Sequence, residues 1–186
     1  MAVLKTEKNK KGFIIVLNGV TSSGKTSIAK EILKISDENY YYLAIDTFAT
    51  MANPKYLTTF ESYFSELNDC ISAMYSAANT FAHLGKNIIL DTIFLDTPEY
   101  PIVFKRLQNA CEGIDIVTVN VTCSLDICIK RHKDRGNYNE NQPLWPQWQS
   151  ERLLKIDHDI TVDTTEKSAE DCANAILYEL GKYNSQ

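Results

Sequence analysis

Short apolar runs alternate along the chain with longer stretches in which apolar residues recur every third or fourth position. Five runs read as strands: Phe13–Asn18, Tyr41–Ile45 ending in Asp46, Asn87–Leu90 ending in Asp91, Asp115–Val121, and about Asp159–Val162 leading into Asp163. Helical spacing predicts α-helices from about Lys25 to Ile35, across Phe60–Phe81, and over Ser124–Asp134 and Ser168–Tyr183. Ser124 and Ser168 suit the N-cap of the last two helices. The longest stripe is Phe60, Phe64, Leu67, Ile71, Met74, Ala78 and Phe81, with Gly85 placed to stop the helix. Packing onto a sheet explains such a short seam better than a coiled coil or partner face. Alternating strands and helices argue for an α/β fold with a mainly parallel sheet. Gly136–Gln149 breaks the pattern: Asn137, Asn139, Asn141, Pro143 and Pro146 predict an irregular segment.

No internal repeat or interdomain linker interrupts the chain, so residues 12–186 read as one domain with a lid region near 131–150 and residues 1–11 as a flexible tail. The net charge of −5 argues against a nucleic-acid-binding surface. The basic run Lys5, Lys8, Lys10 and Lys11 reads as a solvated end. Met1–Lys11 lacks the apolar core of a signal peptide, and no stretch reaches the ~18 apolar residues of a membrane span. A cytoplasmic protein is therefore expected. Cys70, Cys111, Cys123, Cys128 and Cys172 show no zinc-like pairing and read as free thiols. His83, His132 and His158 form no ligand pattern, which leaves only the Mg²⁺ that a nucleotide brings.

The chemistry concentrates after the first strand. Gly19-Val20-Thr21-Ser22-Ser23-Gly24-Lys25-Thr26 is a complete phosphate-binding P-loop between a buried strand and an amphipathic helix. Gly19 and Gly24 let successive N–H groups turn inward, and Thr21, Ser22, Ser23 and Ser27 extend the nucleotide-binding set. The start of the helix adds unpaired amides and the positive end of its dipole. Lys25 is placed to reach the β- and γ-phosphates of a nucleoside triphosphate, and the Thr26 hydroxyl to hold Mg²⁺.

Ligands of open α/β sheets sit beyond the carboxyl ends of the strands, where Asp46, Asp91 and Asp163 fall. Asp91, after the three apolar residues Ile88–Leu90, suits Mg²⁺ support through water, and Asp46 suits a general base toward the acceptor. The residues alone leave those two roles exchangeable. Arg131 and Arg135, four apart, share a helical face and read as lid arginines approaching the transferring phosphoryl group. Trp145 and Trp148 read equally as an acceptor wall or as anchors pinning a loop.

Together these residues resemble the chloramphenicol phosphotransferase-like group of P-loop kinases, from the first strand to the last helix. The resemblance is strongest over Ile14–Ile28, Ala44–Phe48, Asn87–Phe94, and Thr161-Val162-Asp163-Thr164-Thr165 through Cys172-Ala173. It implies a three-layer nucleotide-kinase fold, a five-stranded parallel sheet ordered 2-3-1-4-5 with helices on both faces. It also implies ATP-dependent phosphorylation of a small-molecule hydroxyl. That order puts Asp91 beside the P-loop strand, near Mg²⁺, and Asp46 further out, where it matches the family's catalytic aspartate. The family's lid tends to read Arg-Gly-Asp-Arg, whereas this chain has Arg135-Gly136-Asn137-Tyr138, so Arg131 or Lys133 would supply the second charge. Asn53–Phe64 is also unlike the acceptor region of the antibiotic-modifying member.

Two other functions are compatible with the sequence. One is a nucleoside, nucleotide or nucleotide-sugar kinase of the toxin-like kind. The other is a non-catalytic nucleotide-dependent binding protein using the Phe60–Phe81 stripe as a partner surface. The identity of the acceptor, ATP against GTP, and the oligomeric state are not encoded in any recognisable pattern.

Overall fold

The computed structural model describes residues 11–56, 60–97, 104–136 and 143–183. Most of the basic tail, and Asn137, Asn139 and Asn141 of the lid region, lie outside the described residues. Five parallel strands, β1 (Ile14–Asn18), β2 (Tyr40–Ala44), β3 (Asn87–Thr92), β4 (Ile116–Thr122) and β5 (Ile160–Asp163), form one sheet in the order β2-β3-β1-β4-β5. Between and after them run α1 (Lys25–Ile35), α2 (Ile45–Ala49), α3 (Phe60–His83), α4 (Phe104–Ala110), α5 (Leu125–Asp134), α6 (Trp145–Ser150) and α7 (Ala169–Tyr183).

The central strand β1 is buried along its whole length because both sheet faces are covered. Its side chains alternate. Ile14 and Val16 join Ile88, Leu90 and the α3 residues Ile71, Met74 and Ala78 on one face. Ile15 and Leu17 join Ile28 and Ile32 of α1 and Cys172, Ala173 and Ile176 of α7 on the other. Ile71, Met74 and Ala78 of the α3 stripe are thus spent on the sheet, whereas Phe64 packs beside Trp145 and Trp148 of α6. The α3 helix ends two residues before Gly85, whose φ of 77° turns the chain toward β3.

Local capping follows the sequence in one helix and departs from it in another. Ser168 and Asp171 form a reciprocal box at the start of α7: Asp171 N–H donates to Ser168 Oγ at 3.0 Å, and Ser168 N–H donates to Asp171 Oδ2 at 3.3 Å. The Ser168 hydroxyl also donates to Asp171 Oδ2 at 2.6 Å, and that bond first and Ser168 N–H second lower the Asp171 carboxyl from its ordinary value. Ser124 occupies the N-cap of α5, yet its hydroxyl makes no cap bond. Its backbone N–H instead donates to Thr165 Oγ1 at 3.0 Å, tying α5 to the end of β5.

Two elements differ from expectation. Asp46 does not terminate β2 but lies in the first turn of α2, because the strand closes at Ala44, whose φ and ψ are still extended. Residues 145–150, expected to be irregular, form α6. Proline is tolerated in a first helical turn, where its missing N–H would have no partner, so Pro146 opens this helix rather than preventing it. All five cysteines are free thiols, and burial pushes Cys111 up to about 11 and Cys128 up to about 12.

Candidate active site

The loop between β1 and α1 is built by two glycines with different duties. A Cβ at Gly19 would lie 2.4 Å from the Val121 carbonyl oxygen, so only glycine lets the loop leave the sheet there. Gly24 has a φ of 103°, a left-handed turn that aims the chain into α1. The first intrahelical bond runs from Ile28 N–H to the Gly24 carbonyl at 3.0 Å. The amides of Lys25, Thr26 and Ser27 therefore have no acceptor within the helix, and Lys25 and Thr26 line the pocket at the positive end of the dipole. Ser22 Oγ and Ser23 Oγ, both buried in the loop, meet no hydrogen-bond partner among the described residues. Such a cradle fits an anion. Gly19→Ala is expected to lower stability by about 1–3 kcal/mol, read from thermal or urea unfolding, because the backbone of β4 cannot move aside.

The charged groups meet at the carboxyl ends of β3 and β1. Asp91 Oδ2 accepts from Thr26 Oγ1 at 2.8 Å and from the Tyr42 hydroxyl at 2.9 Å. Its Oδ1 stands 3.8 Å from Lys25 Nζ, which also donates to the carbonyls of Gly19 at 2.8 Å and Val20 at 3.1 Å. Burial, and then the neighbouring carboxylate, hold the Tyr42 hydroxyl protonated, so it remains a donor to Asp91. Asp46 lines the same pocket from α2. Crowding by protein, and then repulsion from Asp91, raise its carboxyl above the ordinary value, while Lys25 and Arg135 pull it back. Its solvent-facing side stays exposed, so these effects are screened by water and tune a proton rather than govern folding.

The sequence-predicted residues separate into those that converge and those that do not. Thr21, Ser22, Gly24, Lys25, Thr26, Asp46, Asp91 and Arg135 line one pocket. Ser23 and Gly19 shape the loop from behind, and Ser27 is exposed on α1 outside the pocket lining. The two arginines diverge. Arg131 donates to Thr164 Oγ1 at 3.1 Å and to the Thr164 carbonyl at 2.9 Å, and Thr164 Oγ1 donates in turn to the Ser23 carbonyl at 2.6 Å. Arg131 thus braces the back of the loop, whereas Arg135 reaches its front. Asp163 turns away from the pocket: its exposed carboxylate is bonded by the Thr165 hydroxyl and then by Thr165 N–H at 2.7 Å, which lower its pKa.

A second cavity of about 160 Å³ opens beside the first and shares Asp46, Ile45, Thr21, Ile93 and Gln149 with it. Its remaining walls are apolar: Phe64 and Leu67 of α3, Leu95, and Trp145 and Trp148 of α6. The indoles pack edge to face at 5.6 Å, and Phe64 lies 6.1 Å from Trp148. Both tryptophans therefore line the cavity while packing against each other and Phe64. Reading the sequence missed Tyr42, Thr164 and Gln149; the Thr following Asp163 was visible, whereas the other two carry no local signal. A larger cavity of about 680 Å³ lies at the opposite ends of the strands, lined by Lys11, Glu38, Lys86 and Asp115 among others. It has none of the P-loop's groups, so size does not locate the chemistry here.

Among the described residues, no three His, Cys, Asp or Glu side chains cluster as a metal site, and no helix is long and apolar enough to cross a membrane. Strand order, P-loop, and a carboxylate beside the loop lysine and threonine define a P-loop kinase. The chain belongs to the chloramphenicol phosphotransferase-like protein family, whose pattern it matches over residues 12–181. Its fold is similar to that of a putative kinase from Chloroflexus aurantiacus J-10-fl, with 17% identity, 93% of this chain and 98% of the other covered, and a TM-score of 0.71. It is similar to the Mycobacterium tuberculosis APS kinase in complex with AMPPNP and APS, with 16% identity, 92% and 98% covered, and a TM-score of 0.67. A gluconokinase from Sinorhizobium meliloti 1021 shares the fold with 18% identity, 94% of each chain covered and a TM-score of 0.63. Among curated protein sequences none matches the chain significantly.

Proposed function

We propose that this P-loop kinase transfers the terminal phosphate of ATP, with Mg²⁺, to a hydroxyl of an uncharged small molecule that carries an apolar ring. One observation carries the reading: the Asp46 carboxylate stands on the wall shared by the phosphate pocket and the aromatic cavity. A base placed there meets an acceptor hydroxyl on one side and the transferring phosphate on the other.

The other side chains supply the remaining requirements. Lys25 and the first amides of α1 bind and orient the phosphates. Thr26 Oγ1 would hold Mg²⁺ directly and Asp91 would hold it through water, which fits a small cation that keeps most of its hydration and uses few carboxylates. Held by Thr26 and Asp91, Mg²⁺ would supply charge neutralisation at the phosphate oxygens. Arg135 adds positive charge at the pocket mouth. Phe64, Trp145 and Trp148 exclude water and offer ring faces to the acceptor. Burial of Ile71, Met74 and Ala78 of the α3 stripe in the core weighs against its use as the partner surface of a non-catalytic binding protein.

Transfer of labelled phosphate from ATP into a panel of aromatic alcohols and antibiotics, sugars, nucleosides and nucleotide sugars tests the proposal. Product is expected among the uncharged aromatic alcohols and none with Asp46→Asn. Product confined to nucleosides or charged sugars would overturn the acceptor class. Full activity in Asp46→Asn would overturn the base.

A further inference from the structure

Gln149 lies on α6, where the sequence predicts an irregular segment, yet its side chain makes a short polar contact with the P-loop. Its Oε1 accepts the Thr21 backbone N–H at 2.6 Å. The donor settles the orientation of this amide, because an N–H can face only the oxygen side. Thr21 is an amide of the phosphate cradle itself, and a side chain from 128 residues away occupies it.

Thr21 and Gln149 line both the phosphate pocket and the aromatic cavity, whereas Gly24 and Thr26 line the phosphate pocket alone. A phosphate chain bound at the start of α1 must bring its last phosphate toward the acceptor, hence toward Thr21. We propose that Gln149 is a specificity-determining residue: its side-chain carbonyl competes with the terminal phosphate of a triphosphate for the Thr21 amide, and its release is registered at the tryptophan wall. This rests on the P-loop kinase reading above.

The competition is unequal. A phosphate oxygen makes a charge-assisted bond roughly twice as strong as one from a neutral amide oxygen, so Gln149 yields Thr21 to a triphosphate. A diphosphate ends one phosphate short of the seam and leaves the contact in place. Once released, Gln149 offers its Nε2 protons as donors at the seam between the two cavities, where negative charge passes. The rest of α6 is held: Arg152 donates to the Trp148 carbonyl at 3.1 Å and lies 4.6 Å above its ring, and Asp96 N–H donates to the Arg152 carbonyl at 2.8 Å. Rearrangement therefore falls on the Gln149 side chain, beside a Trp148 that stays in place and whose emission registers the change in its surroundings.

The chain has two tryptophans, Trp145 and Trp148, both on α6, so tryptophan emission reports on this helix alone. Mg²⁺-AMPPNP and Mg²⁺-ADP are titrated by emission and by calorimetry into the wild-type protein, Gln149→Ala and Gln149→Glu. AMPPNP is expected to change wild-type emission more than ADP does, and Gln149→Ala to lose that difference. Gln149→Ala, which removes the competitor, is expected to bind AMPPNP about 2- to 10-fold more tightly relative to ADP. Gln149→Glu, which holds Thr21 with a charge and repels phosphate, is expected to weaken AMPPNP about 10-fold or more relative to ADP. These opposite signs separate competition from a structural role, which would weaken both nucleotides in both variants. An unchanged AMPPNP-to-ADP ratio in Gln149→Ala, or weakening of both nucleotides in both variants, overturns the proposal. Wild-type protein that binds neither nucleotide overturns the kinase reading itself, and this inference with it.

Discussion

Asp46→Asn is expected to lower phosphate transfer about 100- to 10,000-fold while leaving the protein folded. Asparagine keeps the size and hydrogen-bonding reach of the residue but cannot take the acceptor proton. Thermal stability supplies an independent sign. Crowding and the Asp91 charge raise the Asp46 carboxyl in the folded state, so the fold favours its protonated form. The contribution of Asp46 to stability is thus complete in acid, below the ordinary carboxylate value of about 4, and is lost as pH rises through the raised value. At neutral pH the variant should therefore melt at the same temperature as the wild type or slightly above it, the gain being small because the group is exposed. The same shift should place the acid limb of the wild-type pH–rate profile above the ordinary carboxylate range. A variant that melts well below wild type at pH 7 would mean that Asp46 holds the fold rather than the proton.

Replacing the loop lysine acts through a different balance. Lys25→Met keeps the apolar stem but removes a cation that serves two loop carbonyls and stands 3.8 Å from Asp91. Affinity for ATP should fall about 10- to 100-fold, from the loss of charge-assisted bonds, and kcat about 100- to 1,000-fold, from lost transition-state stabilisation. Stability should also fall, by about 1–3 kcal/mol, because the side chains of Lys25 and Asp91 are only 11% and 7% exposed and the carboxylate loses its counter-charge. Adding Asp91→Asn to Lys25→Met should restore most of the stability, since a neutral amide can still accept from Thr26 and Tyr42. It should restore none of the transfer. Isothermal titration and urea unfolding of the single and double variants separate the two effects; rescue of activity by the second change would remove Lys25 from phosphate binding.

Much of the fold was legible because its determinants are local. The run Ile14–Asn18 and the α3 positions Phe64, Ile71, Met74 and Ala78 carry their burial in their own spacing, and they are buried where that spacing puts them. The first error came from Ile45, an apolar residue read as the end of β2 that instead opens α2, because apolar character does not distinguish the last residue of a strand from the first of a helix. The second came from treating Pro146 as a loop former when a first-turn proline is compatible with a helix. The arginine pair shows a subtler limit. Spacing of four places Arg131 and Arg135 on one face, but it cannot reveal that Thr164 captures the first guanidinium.

The sequence by itself determined the P-loop, the alternation that makes a parallel sheet, and the carboxylates near its strand ends, since each depends on residues within one strand or turn of one another. Tertiary structure decided which of those residues meet. Folding brings Gln149 to Thr21 across 128 positions, Thr164 to Ser23 across 141, and Tyr42 to Asp91 across 49. It also sets the tryptophans of α6 against Phe64 of α3 and turns a polar phosphate site into one with an apolar neighbour. The physical reason is that the P-loop is shaped by residues adjacent in the chain, whereas the apolar cavity beside it is walled by side chains from helices whose crossing is set by the packing of the whole core.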